Sequence, residues 1–156
     1  MNIRGDGKAQ HRVMKLALGA IAFWSVHGSP TAVAAEPLAL RKIMSELGAN
    51  MQRVTDGLSR EDYAVVEKTA RAIADHPQPP VSEKTRIIGF VGGNITRFKG
   101  YDAATHDAAM ALAAMAKQRD AQGALHAFHR LQSSCLACHQ EFRKPFVEHF
   151  YGTRAD

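Results

Sequence analysis

Residues 121–142, AQGALHAFHRLQSSCLACHQEF, combine an amphipathic helical pattern with the motif Cys135-Leu136-Ala137-Cys138-His139. One face of the predicted helix carries Leu125, Phe128, Gln132, Cys135, His139 and Phe142. Cys135 and His139 are four residues apart, so they share this face, and Cys138 lies beside them. The segment therefore predicts a helix that belongs to a larger helical domain and presents two thiols and an imidazole at one place.

The spacing C-x-x-C-H is the signature of covalent haem c attachment. In that chemistry the two thiols add to the haem vinyl groups, and the imidazole binds the iron from one side. C-x-x-C also occurs in thioredoxin-like redox sites and in zinc sites. The first would follow a strand, and the second would need a fourth ligand, although the chain has only two cysteines. We therefore predict one covalent haem c on Cys135 and Cys138, with His139 as an axial ligand.

The apolar residues from Leu38 onward recur every three or four positions, as expected of a helix that faces a bundle core. This stripe consists of Leu40, Met44, Leu47, Met51, Val54 and Leu58. We expect the first helix to end at Gly57. Ser59 and Asp62 resemble a capping box that starts a second helix.

The second helix is predicted to stop at the proline-rich residues 76–80, and a third to begin near Asp102. A fourth follows Arg119-Asp120, and Pro145 is expected to end or kink it. In the weakly patterned residues 76–100, Ser82 could cap a short helix that runs to Val91 and closes at residues 92–94. The sequence predicts an all-α, antiparallel four-helix bundle with haem c near the carboxy-terminal helix.

Residues 1–35 have the features of a cleaved signal peptide. A basic leader precedes the apolar residues 16–26, which are too short to span a bilayer, and small residues follow. We expect cleavage after Ala35, with Ala34 as the alternative site; an uncleaved membrane anchor is the alternative for the whole segment. Residues 36–156 would then form one bundle domain in the bacterial periplasm, without stable membrane insertion.

The formal net charge of +5 belongs partly to this leader, which holds four of the 20 Lys and Arg residues and one of the 15 Asp and Glu residues. The charge of residues 36–156 is therefore +2, and two haem propionates would bring it near zero. The pI of about 9.5 consequently does not indicate nucleic acid as a partner.

A carboxy-terminal C-x-x-C-H on the last of four helices resembles the class II cytochromes c, the cytochrome c′ group, whose four-helix bundle is well known. Phe128 and Phe142-Arg143 resemble the group around the motif, and Arg41 with residues 44–51 resembles its first helix. The linker from 76 to 100 resembles the group least.

The resemblance implies two branches, which differ in the first helix. A methionine four residues before a glycine marks the low-spin branch, and Met44 before Gly48 fits that pattern. One departure is that Leu40, not arginine, lies four residues before Met44. Met51 and, for a bis-histidine haem, His106 are the alternative ligands, whereas Met110 and Met115 are predicted to fill the core. The resemblance also places Arg143 near the haem, where it could pair with a propionate.

These ligands imply an electron carrier with His139 and Met44 on the iron. The alternative is a high-spin, five-coordinate cytochrome c′ that binds nitric oxide or carbon monoxide. The sequence offers no nucleophile with an adjacent base, so we do not expect an enzyme. The expected partners are periplasmic or membrane-bound redox proteins. Class II relatives often form homodimers through helices one and two, which makes the same surface a candidate here.

Overall fold

The computed structural model describes residues 37–152 of the chain. The predicted signal peptide, residues 1–35, and its cleavage site lie outside these residues and stay predictions. Between residues 37 and 152, no helix has the length and apolar character that a membrane span requires.

Four long helices form the body of the protein, and residues 37–152 contain no strand. They are α1 (Ala39–Ser59), α2 (Tyr63–Ala74), α4 (Ile95–Lys117) and α5 (Ala121–Cys138). The connection between α2 and α4 holds α3 (Val81–Val91) and a 3₁₀ turn (Gly92–Asn94). After α5 the chain continues as a π-helical segment (His139–Arg143) and α6 (Lys144–Tyr151). The predicted all-α four-helix bundle is confirmed.

Each long helix packs on the next one along the chain: α1 on α2, α2 on α4, and α4 on α5. The largest fully buried side chains are Val54, Val66, Ile73, Leu112 and Leu131, and they come from all four long helices. α1 and α5 make few direct contacts at most.

The junction of α1 and α2 differs from the prediction. α1 continues past Gly57 to Ser59, whose hydroxyl donates to the carbonyl of Thr55 at 2.8 Å instead of capping α2. The cap is Asp62, whose Oδ1 accepts from the amide of Val65 at 3.1 Å. Gly57 is buried, and a Cβ at this position would lie 2.9 Å from Cγ2 of Val66. Gly57 is therefore needed for the close approach of α2 and does not end the helix.

The short helix predicted between residues 76 and 100 is confirmed as α3, although it begins at Val81 after Pro80 and Ser82 is not its cap. Gly92 follows it with φ of 50°, a left-handed conformation that favours glycine. α4 begins at Ile95, earlier than predicted, because its first turns pack on the π-helical segment through Phe98 and Phe142.

Pro145 is expected to end or kink the fourth helix. The chain stays helical past Pro145 to Tyr151, so the proline does not end it; α5 gives way to the π-helical segment at His139, and α6 begins at Lys144. The proline lies in the first turn of α6, where a missing amide donor costs little. Phe146 and Phe150 of α6 pack with Phe90 of α3 at ring distances of 5.4 and 5.6 Å. α6 is thereby fastened to α3 at the end of the bundle where α5 ends.

Candidate functional site

The two cysteines of the motif lie on the last turn of α5, and His139 follows them as the first residue of the π-helical segment. Cys135 and Cys138 are free, half-buried thiols. The imidazole of His139 is exposed to solvent. Cys135 also packs against the hydrophobic core. One turn of helix therefore presents two thiols and one imidazole at the edge of the core, as the spacing predicts.

Two polar contacts to α4 hold this turn, one on each side of the motif. Before the motif, the hydroxyls of Ser134 and Thr105 lie 3.0 Å apart, at hydrogen-bonding distance. After it, Oε2 of Glu141 accepts from Nη2 of Arg97 at 2.7 Å and from the hydroxyl of Tyr101 at 2.9 Å. These contacts fix the rotation of the motif about the axis of α5.

The π-helical segment orients the residues that follow the cysteines. π-helical turns are rare in proteins, but those that do occur are often found at functional sites. Phe142 points inward, is 7% exposed, and meets the ring of Phe98 edge to face at 5.3 Å. His139, three residues earlier, stays exposed. The segment thus anchors itself with an aromatic side chain and leaves the imidazole accessible.

The raised pKa values of the two thiols argue against dithiol redox chemistry. Burial raises the pKa of Cys135. Burial, followed by the charges of Cys135, Asp102 and Glu141, raises the pKa of Cys138 to about 11. Reactive C-x-x-C cysteines instead have lowered pKa values. Across residues 37–152, no three His, Cys, Asp or Glu side chains are grouped so that they could bind a metal ion, so the ligand set for zinc is not found there.

His139 has the protonation state that a metal ligand needs. His139 is exposed as a residue, but partial burial of its ring first, and then the positive charge of Arg143, lower the pKa of the imidazole below its ordinary value of 6.5. The neutral ring offers a lone pair at neutral pH. Arg143 is exposed and is near enough to act on His139 electrostatically, as expected for two residues one turn apart.

Met44 lies on the side of α1 away from the face that Gly57 turns to α2, because 13 residues at 3.6 residues per turn place the two on roughly opposite sides of the helix. It is 41% exposed. The other residues of its stripe are at least partly buried, and Leu47, Met51 and Leu58 pack against the core. Met44 is thus the one member of the predicted stripe that the helices leave uncovered.

The alternative ligands are occupied by other contacts. Met51 and Met115 pack against the core. Nδ1 of His106 lies 3.2 Å from the carbonyl oxygen of Ala74, which ties this ring to the end of α2. Met110 is 36% exposed, so its predicted place in the core is wrong; it points away from the alanine-rich face of α4 that packs in the bundle.

The chemistry of the predicted ligand residues fits a haem c. The thiols are unbridged and their pKa values are raised, and the pKa of the imidazole is lowered. The exposed side chains of Met44 and Leu136 are apolar, with exposures of 41% and 57%. A large apolar disc that covers such side chains is stabilised by about 25 cal/mol for each Å² of apolar surface removed from water.

The residues that support the motif are not predicted from the sequence. Thr105 falls on the apolar stripe of its helix, and only its polar character could have hinted at the contact with Ser134. Arg97 and Glu141 are 44 residues apart, and no local pattern connects them. Long-range polar contacts of this kind depend on how the helices are rotated in the bundle, which a hydrophobic pattern does not define.

Comparison with known proteins gives one match. The family model described as Cytochrome C' matches residues 38–143, a range that contains the whole of α1 to α5 and the π-helical segment. No curated protein and no solved structure matches the chain.

Proposed function

The chain belongs to the cytochrome c′ family, and on that premise we propose that it is a periplasmic electron carrier whose iron is bound by His139 and Met44. Haem c, held covalently, is the cofactor of this family and of this chain. Cys135 and Cys138 are proposed to supply the two thioether bonds, because they are the only cysteines in the sequence.

The exposure of Met44 carries the proposal. A methionine in a helical stripe ordinarily fills the core, and it would then be buried like its neighbours. Met44 is instead 41% exposed, while Ile43 takes the buried position next to it. An uncovered thioether at the place where a cofactor is expected supports ligation over packing.

Each residue of the proposed site has a separate role. Haem c supplies the one-electron couple of its iron. Cys135 and Cys138 keep the cofactor attached through repeated redox cycles, and His139 binds with a neutral imidazole. Met44 would hold the iron through its thioether, a ligand that raises the reduction potential relative to a second nitrogen ligand. Arg143, one turn from His139, is proposed to pair with a propionate.

The proposed partners are periplasmic or membrane-bound redox proteins, since a carrier without substrate chemistry acts by exchanging electrons with other proteins. Nucleic acid is not among them. The exposed surface of α1 and α2 is the proposed dimer interface. Cleavage after Ala35 would release the domain into the periplasm.

The family match favours a second function to the same degree. A cytochrome c′ with an open or displaceable sixth position binds nitric oxide or carbon monoxide. The surroundings of Met44 are relevant here as well, because a thioether that few side chains hold in place is easier to displace. The two functions differ in whether Met44 stays on the iron.

Spectroscopy of the purified holoprotein tests the proposal. We expect a low-spin ferric form with a sulfur-to-iron charge-transfer band in the near infrared, and a ferrous form that binds carbon monoxide slowly or not at all. Met44→Leu should remove the band, produce a high-spin form that binds carbon monoxide, and lower the potential. The fold should tolerate the swap, with a loss below about 1.5 kcal/mol, because it conserves volume.

Met51→Leu is the matched control, since it makes the same substitution two turns along α1 at a residue packed on the core. It should leave the charge-transfer band in place. A wild-type protein that is high-spin and binds carbon monoxide at once would exclude the electron carrier and select the gas-binding function.

A further inference from the structure

The first turn of α1 is capped by a side chain from a different helix. Oε2 of Glu83, on α3, accepts from the amide of Ala39 at 2.7 Å, and Oε1 accepts from the amide of Leu40 at 2.8 Å. Glu83 is 8% exposed and is the one buried charged residue among residues 37–152. A carboxylate that accepts two amide hydrogen bonds in a buried place forms a strong, directional contact.

α1 has no cap of its own. Leu38 stands at the N-cap position without a side-chain hydrogen bond, and the first turn contains no acidic residue. The first amides of a helix have no partner within it, and the helix dipole favours a negative charge there. The carboxylate of Glu83 supplies the hydrogen-bond acceptors for these amides and the negative charge that the dipole favours. The start of α1 is therefore fixed relative to α3.

This contact lies one helical turn from Met44. Leu40, whose amide donates to Glu83, and Met44 are four residues apart and so stack on the same side of α1. A shift of the first turn of α1 along or around its axis would carry the thioether of Met44 with it.

α3 is in turn connected to the segment that carries His139. Phe90 of α3 packs with Phe146 and Phe150 of α6, and α6 directly follows the π-helical segment that begins with His139. α1 and α5 make few direct contacts with each other at most. The path from Glu83 through α3 and α6 therefore relates the first turn of α1 to the helix that carries the motif.

We propose that Glu83 is a positioning residue that holds Met44 at the distance from His139 at which both can bind one iron. This inference rests on the proposed function, because it concerns the sixth ligand. Glu83 is not proposed to contact the cofactor. It acts through the first turn of α1.

The test compares Glu83→Gln and Glu83→Ala with wild-type holoprotein. The readouts are the ferric near-infrared charge-transfer band, the fraction of ferrous protein that binds carbon monoxide, and the thermal unfolding curve. Glu83→Ala should weaken the band and raise the carbon monoxide-binding fraction by roughly five-fold or more. Glu83→Gln, which keeps one carbonyl oxygen as acceptor, should give an intermediate effect and decides the test if the alanine variant does not fold.

Glu46→Gln is the matched control. It removes one negative charge from an exposed side chain of α1 two residues from Met44, where Glu46 faces Lys42 at 3.9 Å. Its band and carbon monoxide binding should equal those of wild type. An effect as large as that of Glu83→Gln would attribute the change to charge alone and overturn the positioning role.

A double-variant cycle separates positioning from general loss of structure. In a Met44→Leu background, Glu83→Gln should leave carbon monoxide binding unchanged, because no methionine remains to be positioned. A further change in that background would contradict the inference. If wild type shows the band and both Glu83 variants keep it, only the inference fails; if wild type lacks the band, the proposed function fails and the inference with it.

Discussion

Two glycines of α1 show how strongly a single position depends on its surroundings. Gly57 is buried where α2 crosses, and a Cβ there would lie 2.9 Å from Cγ2 of Val66 and 3.4 Å from the carbonyl oxygen of Asp62. Gly48 lies in the same helix with no atom within 4 Å of the corresponding position. The sequence pattern treats both as weak points of a helix, whereas only the structure distinguishes them.

Gly57→Ala should lower the free energy of unfolding by about 1–3 kcal/mol, because the new methyl group forces the α1–α2 contact apart. Gly48→Ala should instead raise it by about 0.5–1 kcal/mol, since alanine favours the helix and meets open space. Denaturant unfolding of the holoproteins, followed by circular dichroism, measures both. Equal effects of the two substitutions would show that the close approach at Gly57 is not tight.

The predicted ligands and the residues that support them differ in how far the sequence could identify them. The prediction of Cys135, Cys138 and His139 needs only the sequence, because the three residues form one short motif with a known chemistry. Met44 needed the resemblance to a family, since a stripe of apolar residues by itself indicates packing. Glu83 could not be predicted, because its partners are amides of a helix 44 and 43 residues away.

At the scale of helices, hydrophobic periodicity located the four long helices, whereas the short α3 was predicted from a candidate capping residue and the glycines that follow it. The end of α1 is predicted at Gly57 because glycine commonly ends helices, yet a buried helix contact also requires glycine. The π-helical segment and α6 were not predicted, because a proline such as Pro145 commonly ends a helix. Proline is nevertheless tolerated in the first turn of a new helix, where Pro145 lies.

The cap of α2 gives a prediction at this scale. Asp62→Ala should lower the free energy of unfolding by about 0.5–2 kcal/mol, because the amide of Val65 loses its acceptor. Asp56→Ala removes a carboxylate just before the turn that pairs with exposed Arg60 on the surface, and it should cost less than about 1 kcal/mol. Amide hydrogen exchange of the first turn of α2 should accelerate in the first variant and not in the second. Equal protection in both would rule out Asp62 as the cap.

At the scale of the whole molecule, the covalent attachment of haem to the chain can be tested directly. Cys135→Ala combined with Cys138→Ala should abolish the coloured holoprotein, because both thioether bonds are lost. In the wild-type protein, acid–acetone should leave the colour with the polypeptide, and the mass should exceed that of the chain by one haem.

Leu136→Ala is the control for this pair, since Leu136 lies between the cysteines and is 57% exposed. It should keep its colour. Haem that is extracted from the wild-type protein would refute covalent attachment.

Export gives a second prediction for the whole chain. Amino-terminal sequencing of protein from the periplasm should begin at Glu36, or at Ala35 if cleavage follows Ala34. The control is the double variant Ala34→Gln with Ala35→Gln, which removes the small residue before either cleavage point and should accumulate uncleaved. A mature protein that retains residues 16–26 would show a membrane anchor.

The order in which the helices pack has a consequence for how fast the chain folds. Because each long helix contacts the next one along the sequence, most contacts are local, and proteins with low contact order fold in microseconds to milliseconds. The pair most distant in sequence, α1 and α5, contributes few of these contacts at most. We therefore expect the helical framework to form within milliseconds.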